Sequence, residues 1–259
     1  MPKIIYFVTE DWYFWSHRLS LARAAQKSGF QVTVLTRVNK YKDLIESEGF
    51  NLIPLELVRS SKNIFVELLC FLEIIKIFRR EKPDIVHNVA LKPILYGTWA
   101  ARFSRVPCVV NLFAGITTKF HAKKWKSIIL GTLVDLVFRF GFWNNNAYAI
   151  FQNSFDRKAF LDKNLLLEEN TGIICGSGVS LTKFIDTPEP DGSPLVILAS
   201  RMLWDKGVGE FVEAAKILKN EKISCRMILV GNPDPENPVP LPKDLILKWQ
   251  SEGWIEWWE

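Results

Sequence analysis

The sequence contains few of the residues that build metal sites and disulfide frameworks. Its 259 residues include four cysteines and three histidines, with no C-x-x-C pair and the histidines far apart. These gaps argue against a zinc site and against a disulfide scaffold. Since the cysteines lie in apolar stretches, we predict buried, reduced thiols in a cytoplasmic protein. They are Cys70, Cys108, Cys175 and Cys225.

Long apolar runs are also missing. No stretch reaches the roughly 18–20 apolar residues that a membrane-spanning helix requires. Glu10 and Asp11 follow the first short apolar run, and we therefore predict no secretory signal. No G-x-G-x-x-G turn follows that run, which argues against a nucleotide-sugar epimerase or dehydrogenase. No nucleic-acid-binding motif is present, so we expect no DNA or RNA partner.

Acidic residues are outnumbered in the first part of the protein. Residues 1–186 have a net charge of +9 and residues 187–259 a net charge of −4, within an overall charge of +5. This asymmetry indicates an anionic partner for the first part, such as a phospholipid surface or a lipid diphosphate. Hydrophobic residues make up 48% of the sequence, which is enough to bury a sizeable core.

Short apolar runs alternate with stretches of helical periodicity, which predicts βαβ units and parallel α/β sheets. A Pro- and Gly-rich stretch at 187–194 interrupts the alternation. We therefore predict a complete Rossmann-like domain at 1–186, a linker at 187–194 and a second domain at 195–259. The predicted strands are 3–9, 31–36, 50–55, 84–87, 107–112, 147–152, 195–200, 225–230 and 254–258; the predicted helices are 16–28, 41–48, 63–81, 93–104, 124–143, 209–219 and 243–251.

Arg201 and Lys206 stand five residues apart on the turn between a predicted strand and a predicted helix. Ligands of open α/β sheets bind at the carboxyl ends of the strands, and a helix N-terminus attracts anions. Because arginine grips two oxygens and lysine adds a mobile charge, the turn is a candidate diphosphate site. The alternative is a pair of solvated surface charges.

The string S-R-M-L-W-D-K-G-V-x-E-F at 200–211 resembles the motif that opens the second domain of family 4 retaining glycosyltransferases, which have the GT-B fold. In that family the Arg and Lys hold the donor's diphosphate. The resemblance implies catalytic roles for Arg201 and Lys206, a nucleotide-sugar donor, UDP-linked by expectation, and no metal or other cofactor. Because only three strands follow the linker, we expect the second domain to be incomplete and the protein to be truncated at its C-terminus.

The loop after the first strand, residues 9–18, contains a W-x-x-x-x-H-R stretch. It resembles a bacterial subgroup that acts on lipid-linked saccharides. Asp11, His17 and Arg18 are candidates to bind acceptor hydroxyls or phosphate. In the alternative interpretation the loop's aromatic residues pack onto the sheet and His17 caps a helix.

Two glycine turns are candidate donor contacts. The G-S-G-V turn at 176–179 resembles the family's G-x-G-V-x-x-x-x-F stretch, which makes Ser177 and Gly178 candidates. Gly115 follows the fifth strand and permits close approach of a ligand to the backbone, although turn geometry alone explains it equally well. His87, at the end of the fourth strand, is interpreted as structural.

A run of basic and aromatic residues at 119–126 precedes an apolar stretch at 128–137. This pattern suits either a membrane surface or a core helix with a basic start. The resemblance implies transfer of a sugar to a lipid-diphosphate-linked saccharide in cell-surface polysaccharide synthesis, at the inner face of the cytoplasmic membrane. The alternative is a catalytically inactive fragment that binds only acceptor or membrane.

Overall fold

The computed structural model of the protein describes residues 1–57, 63–114, 135–136, 138–142, 146–235, 237 and 239–259. The structure divides into two compact units, Met1–Lys183 and Phe184–Glu259. The predicted linker at 187–194 falls inside the second unit, before its first strand. No helix among the described residues is both long and apolar enough to cross a bilayer.

The first unit is built around a parallel sheet of seven strands in the order β3-β2-β1-β4-β5-β6-β7, which confirms the predicted α/β class. The strands are β1 Lys3–Glu10, β2 Gln31–Arg37, β3 Asn51–Pro54, β4 Ile85–Val89, β5 Cys108–Phe113, β6 Ala147–Phe151 and β7 Thr171–Ile173. The helices are α1 Asp11–His17, α2 Leu19–Lys27, α3 Lys42–Ser47, α4 Ile64–Glu81, α5 Leu91–Ser104 and α6 Ser154–Asp162.

The strand order places a switch point between β1 and β4. The backbone passes from β1 to β2 and β3 on one side, then returns to pair β4 with β1 on the other. Ligands of open α/β sheets bind where the order reverses, at the carboxyl ends of the strands. The helix α1, which begins at Asp11, follows β1 at this point.

Two elements of the structure, α6 and β7, were not predicted from the sequence. The helix α6 buries only Asp156 and Phe160, so its apolar periodicity is weak. The strand β7 has three residues, one of them Gly172, and a run so short gives no clear strand pattern. Described residues of the predicted helix at 124–143, namely 135–136 and 138–141, are helical.

The predicted helix at 16–28 is wrong in its boundaries. This segment forms α1 and α2 with a break at Arg18, whose φ of −120° is not helical. Ser16 therefore does not begin a helix as predicted but lies in the last turn of α1, where its hydroxyl donates to the Trp12 carbonyl. The expectation of four buried thiols is also wrong, since Cys175 is exposed.

The second unit has a three-stranded parallel sheet in the order β10-β9-β8. One side of it packs against two helices in a separate core that includes Met202, Val212 and Ile246. The strand β8 is largely exposed, with Ile197 at 51%, because the helices cover one face. The strands are β8 Leu195–Ala199, β9 Arg226–Val230 and β10 Glu256–Trp258, and the helices are α7 Val208–Asn220 and α8 Lys243–Ser251.

Candidate functional site

Arg201 lies just beyond the carboxyl end of β8, as its spacing predicted. Its side chain is 46% exposed and its guanidinium pairs with Asp234 at 2.7 Å. Asp234 follows β9, so the two residues come from the carboxyl ends of neighbouring strands. An exposed pair of this kind contributes about 0–1 kcal/mol; it orients the guanidinium while leaving it open to a stronger anion. No sequence pattern had pointed to Asp234.

Lys206 ends a short 3-10 turn, Trp204–Lys206, that leads into α7. Its side chain is exposed and, within the described residues, makes no ion pair. Gly207 then takes a left-handed φ of +75° as the N-cap of α7, a conformation that glycine adopts without strain. The loop thus holds two exposed cations beside the start of a 13-residue helix.

The backbone between these two cations is held firmly. Met202 and Leu203 are fully buried, and Met202 exchanges backbone hydrogen bonds with Asn232 and Leu241. Gly231, with φ +125°, directly follows β9. Its backbone lies so close to Ser200 that a Cβ at this position would stand 2.2 Å from the Ser200 carbonyl oxygen. Because its neighbours are anchored, Arg201 projects from a rigid turn.

Asp11 has a structural role that the sequence did not reveal. It is fully buried, and its carboxylate accepts backbone N–H bonds from Trp12, Asn39 and Tyr41 at 2.6–3.0 Å. Burial alone raises the pKa of this carboxyl, but the hydrogen bonds, that from Tyr41 foremost, outweigh it and hold the pKa below its ordinary value. Asp11 ties the loop after β1 to the segment after β2, and this removes it from the candidate ligand contacts.

His17 ends α1 at the surface. Its ring stacks on Tyr13 with the centroids 4.4 Å apart, and its Nδ1 lies 2.6 Å from the Ser16 hydroxyl. Among the loop aromatics, Phe14 is fully buried in the core, as the packing interpretation expected, whereas Trp12 is 38% exposed. His17 stays a candidate acceptor contact.

The structure joins Arg18 to Ser177 across 159 residues of sequence. Arg18 lies at the break between α1 and α2, and its Nη2 donates to the Ser177 hydroxyl at 3.2 Å. Ser177 is exposed between Gly176 and Gly178, both of which have a positive φ. The predicted acceptor-side and donor-side candidates therefore meet in one cluster within the first unit.

His87 is a buried polar residue on β4. His87 is 6% exposed, its Nε2 has no partner among the described residues, and its ring packs on Tyr6 with the centroids 5.3 Å apart. Burial, followed by the charge of Arg18, lowers its pKa to about 4. This neutral, enclosed histidine fits the structural role expected from the sequence.

Two predicted features lie outside the described residues. They are Gly115 and the basic stretch at 119–126, together with most of the apolar stretch after it. Across the described part of the protein, no group of three His, Cys, Asp or Glu side chains is placed to hold a metal ion. Independence of a metal stays a prediction.

The two parallel α/β units have a fold of the GT-B type. The structure of Anabaena HepE in complex with UDP and glucose is similar, with a TM-score of 0.67 at 15% identity over 99% of this chain and 69% of that chain. UDP-GlcNAc 2-epimerase from Methanocaldococcus jannaschii also shares the fold, with a TM-score of 0.56 at 14% identity over 100% and 72%. A missing G-x-G-x-x-G turn therefore does not by itself exclude an epimerase.

Family membership separates the two classes. Residues 3–144 match the family model described as glycosyl transferase 4-like, and since this is more than half of the sequence, the protein belongs to that family. The Campylobacter jejuni N,N'-diacetylbacillosaminyl-diphospho-undecaprenol alpha-1,3-N-acetylgalactosaminyltransferase is 27% identical over 85% of this chain and 61% of its own length. The Staphylococcus aureus capsular polysaccharide biosynthesis glycosyltransferase CapM is 21% identical over 83% and 57%. The protein thus spans about three fifths of the length of these two relatives.

Proposed function

We propose that this protein is part of a retaining glycosyltransferase that moves a sugar from a UDP-sugar to a lipid-diphosphate-linked saccharide during cell-surface polysaccharide synthesis. The observation that supports this most is the pair of exposed cations, Arg201 and Lys206, on a rigid turn at the carboxyl end of β8. As the donor bond breaks, negative charge develops on the leaving diphosphate. Two preorganised cations stabilise that charge, the task that a divalent metal performs in other enzymes.

The names of two relatives support the acceptor class in this proposal. One of them is named for a diphospho-undecaprenol substrate and the other for capsular polysaccharide synthesis. The exposed His17 and the Arg18 cluster, at the switch point of the first sheet, are the acceptor-side contacts in this proposal. In this proposal the reaction takes place at the inner face of the cytoplasmic membrane, where a lipid-linked acceptor meets a nucleotide-sugar donor.

A UDP titration of the 259-residue protein tests the donor site. We expect saturable binding that weakens about tenfold to a hundredfold in Arg201→Gln, because a charge-assisted hydrogen bond contributes about 1.5–3 kcal/mol. Lys206→Gln should also weaken binding. Isothermal titration calorimetry gives the dissociation constants directly.

Arg226→Gln is the matched control for Arg201→Gln. Arg226 is 47% exposed and pairs with Glu256 at 2.7 Å, almost as Arg201 pairs with Asp234, but it begins β9 and so lies at the opposite end of the strands. Its replacement should leave UDP affinity unchanged. Equal affinities in all three variants would overturn the donor site, and a protein with no saturable UDP binding would favour the alternative of acceptor or membrane binding alone.

We further propose that the first unit docks on an anionic bilayer through the apolar face of α4. This face comprises side chains that follow helical spacing at the N-terminal half of the helix, with Ile64 and Phe65 at 76% and 75% exposure. The nearby acid Glu67 is bound to Lys92 and Tyr96, which reduces its repulsion of anionic lipid. The net charge of +9 over residues 1–186 favours such a surface. The members of the face are Ile64, Phe65, Leu68, Leu69 and Leu72.

Vesicle flotation tests this surface. Phe65→Glu and Leu69→Glu should each lower binding to phosphatidylglycerol-containing vesicles about tenfold or more, because each removes roughly 1.5–3 kcal/mol of apolar burial. Ile217→Glu is the control, since Ile217 is 56% exposed on a helix of the second unit. Binding that is equal in all variants, or absent in the unmodified protein, contradicts docking through α4.

A further inference from the structure

Within the described structure, Arg18 is a buried cation without a counter-ion. Only 6% of the residue is exposed, and its Nε has no hydrogen-bond partner among the described residues. The sole described partner of its guanidinium is the neutral hydroxyl of Ser177. Burial of a charge is expensive unless the charge is paired, so a site of this composition favours an anionic ligand.

The neighbouring acids are engaged elsewhere. The Asp11 carboxylate accepts three backbone N–H bonds, and Glu10 lies against Asn39 and Arg37. Burial is the main cause of the lowered pKa of His17 and His87, and the charge of Arg18 adds to it in both. These contacts join Asp11 and Glu10 to groups other than Arg18, so they do not neutralise its positive charge.

The surroundings of Arg18 suit an oxyanion. The residue is the N-cap of α2, a nine-residue helix with no acidic residue in its first turn and no side-chain cap, and such a helix start favours anions. The opposing turn has Gly176 and Gly178 at φ +78° and +69°, each with open space where a side chain would stand. Ser177 is exposed, and its hydroxyl accepts the hydrogen bond from Arg18 Nη2. A ligand at the surface that displaced this hydroxyl would therefore contact Nη2 directly.

We infer that Arg18, together with the Gly176–Gly178 turn, forms a phosphate-binding subsite in the first unit. The inference rests on the proposed function, in that the phosphate is taken to belong to a substrate. A phosphate oxygen would replace the Ser177 hydroxyl as the acceptor from Nη2, and the buried charge of Arg18 would then be paired. Two substrates present this chemistry, a nucleoside diphosphate and a polyprenyl diphosphate.

Ser177→Asp tests the subsite without altering Arg18. A carboxylate at this position pairs with the guanidinium and competes with any phosphate. We expect the variant to raise the melting temperature by about 2–4 °C and to weaken phosphate binding at least tenfold. Ser180→Asp is the matched control, because Ser180 is an exposed serine of the same segment that bonds Thr182 and not Arg18; it changes the net charge equally.

The titrations use geranyl diphosphate, inorganic pyrophosphate and UDP, each with the unmodified protein and with Arg201→Gln/Lys206→Gln. Loss of geranyl diphosphate binding in Ser177→Asp, with UDP binding retained and Ser180→Asp unaffected, supports the subsite and assigns it to a lipid diphosphate. Loss of pyrophosphate binding supports the subsite without distinguishing the two sources. Loss confined to UDP supports it and assigns it to the donor. Binding of all three probes that is unchanged in Ser177→Asp, or lowered equally in Ser180→Asp, overturns it. Failure of the donor proposal gives a different result, because the affinity for UDP would then be the same in Arg201→Gln as in the unmodified protein.

Discussion

Replacing Gly231 by alanine is expected to destabilise the second unit by more than about 3 kcal/mol. The added Cβ would lie 2.2 Å from the carbonyl oxygen of Ser200, a backbone atom that cannot rotate away. The φ of +125° adds the strain of a conformation that only glycine adopts easily, about 1–3 kcal/mol, to an overpacking term of similar size. Since domains are stable by only about 5–15 kcal/mol, a large part of the unit's stability would be lost.

Gly192→Ala separates the two causes. Gly192 has a similar φ of +109° but nothing within 4 Å of the added Cβ, so it experiences the backbone strain without the clash. Urea unfolding followed by tryptophan fluorescence measures both variants, and the indole of Trp257, which donates to the Gly231 carbonyl at 2.8 Å, reports on the site. Equal losses in the two variants would show that the backbone relaxes around the new methyl group.

Acidification from pH 6.5 to pH 4 is expected to lower the free energy of unfolding of the first unit by as much as roughly 3 kcal/mol through His87 alone. Its pKa is lowered from 6.5 to about 4, first by burial and then by the charge of Arg18. Between these two values the unfolded state binds a proton that the folded state does not. Stability therefore rises with pH across this window and is fully present above pH 6.5.

His87→Phe should remove most of that slope. Any change in packing caused by the substitution lowers or raises the free energy of unfolding by the same amount at every pH. It therefore does not affect the slope of stability against pH, which is the quantity compared. His17→Gln is the control, since His17 is exposed and its replacement should leave most of the slope in place. Urea unfolding at half-unit pH steps between 4 and 7 provides the measurement; parallel curves for the unmodified protein and His87→Phe would contradict the neutral, enclosed histidine.

Most of the fold was predictable because buried parallel strands have a simple sequence pattern. The strand β1, with nearly every residue buried, appears as a continuous apolar run at 4–8. The break at Arg18 was missed, because the aromatic residues before it were interpreted as a loop and a single helix was predicted from residue 16. The short β7 and the weakly apolar α6 lack the periodicity on which such predictions depend.

In the candidate site too, local sequence predicted the placement of some residues and missed a contact that depends on strand pairing. The placement of Arg201 and Lys206 at the carboxyl end of β8 was predictable, because a strand, a turn and a helix are contiguous in sequence. Asp234 was missed because its relation to Arg201 depends on the pairing of β8 with β9. The type of residue at 234 gives no sign of that contact.

The sequence by itself determined the alternation of strands and helices and the place of the cation-bearing turn between a strand and a helix, since each depends on residues close together in sequence. Only the tertiary structure decided that Asp11 is enclosed, that Gly231 must lack a side chain and that Arg18 meets Ser177 across 159 residues. Contacts of that kind arise when packing brings distant segments together, and no local pattern of residues encodes them.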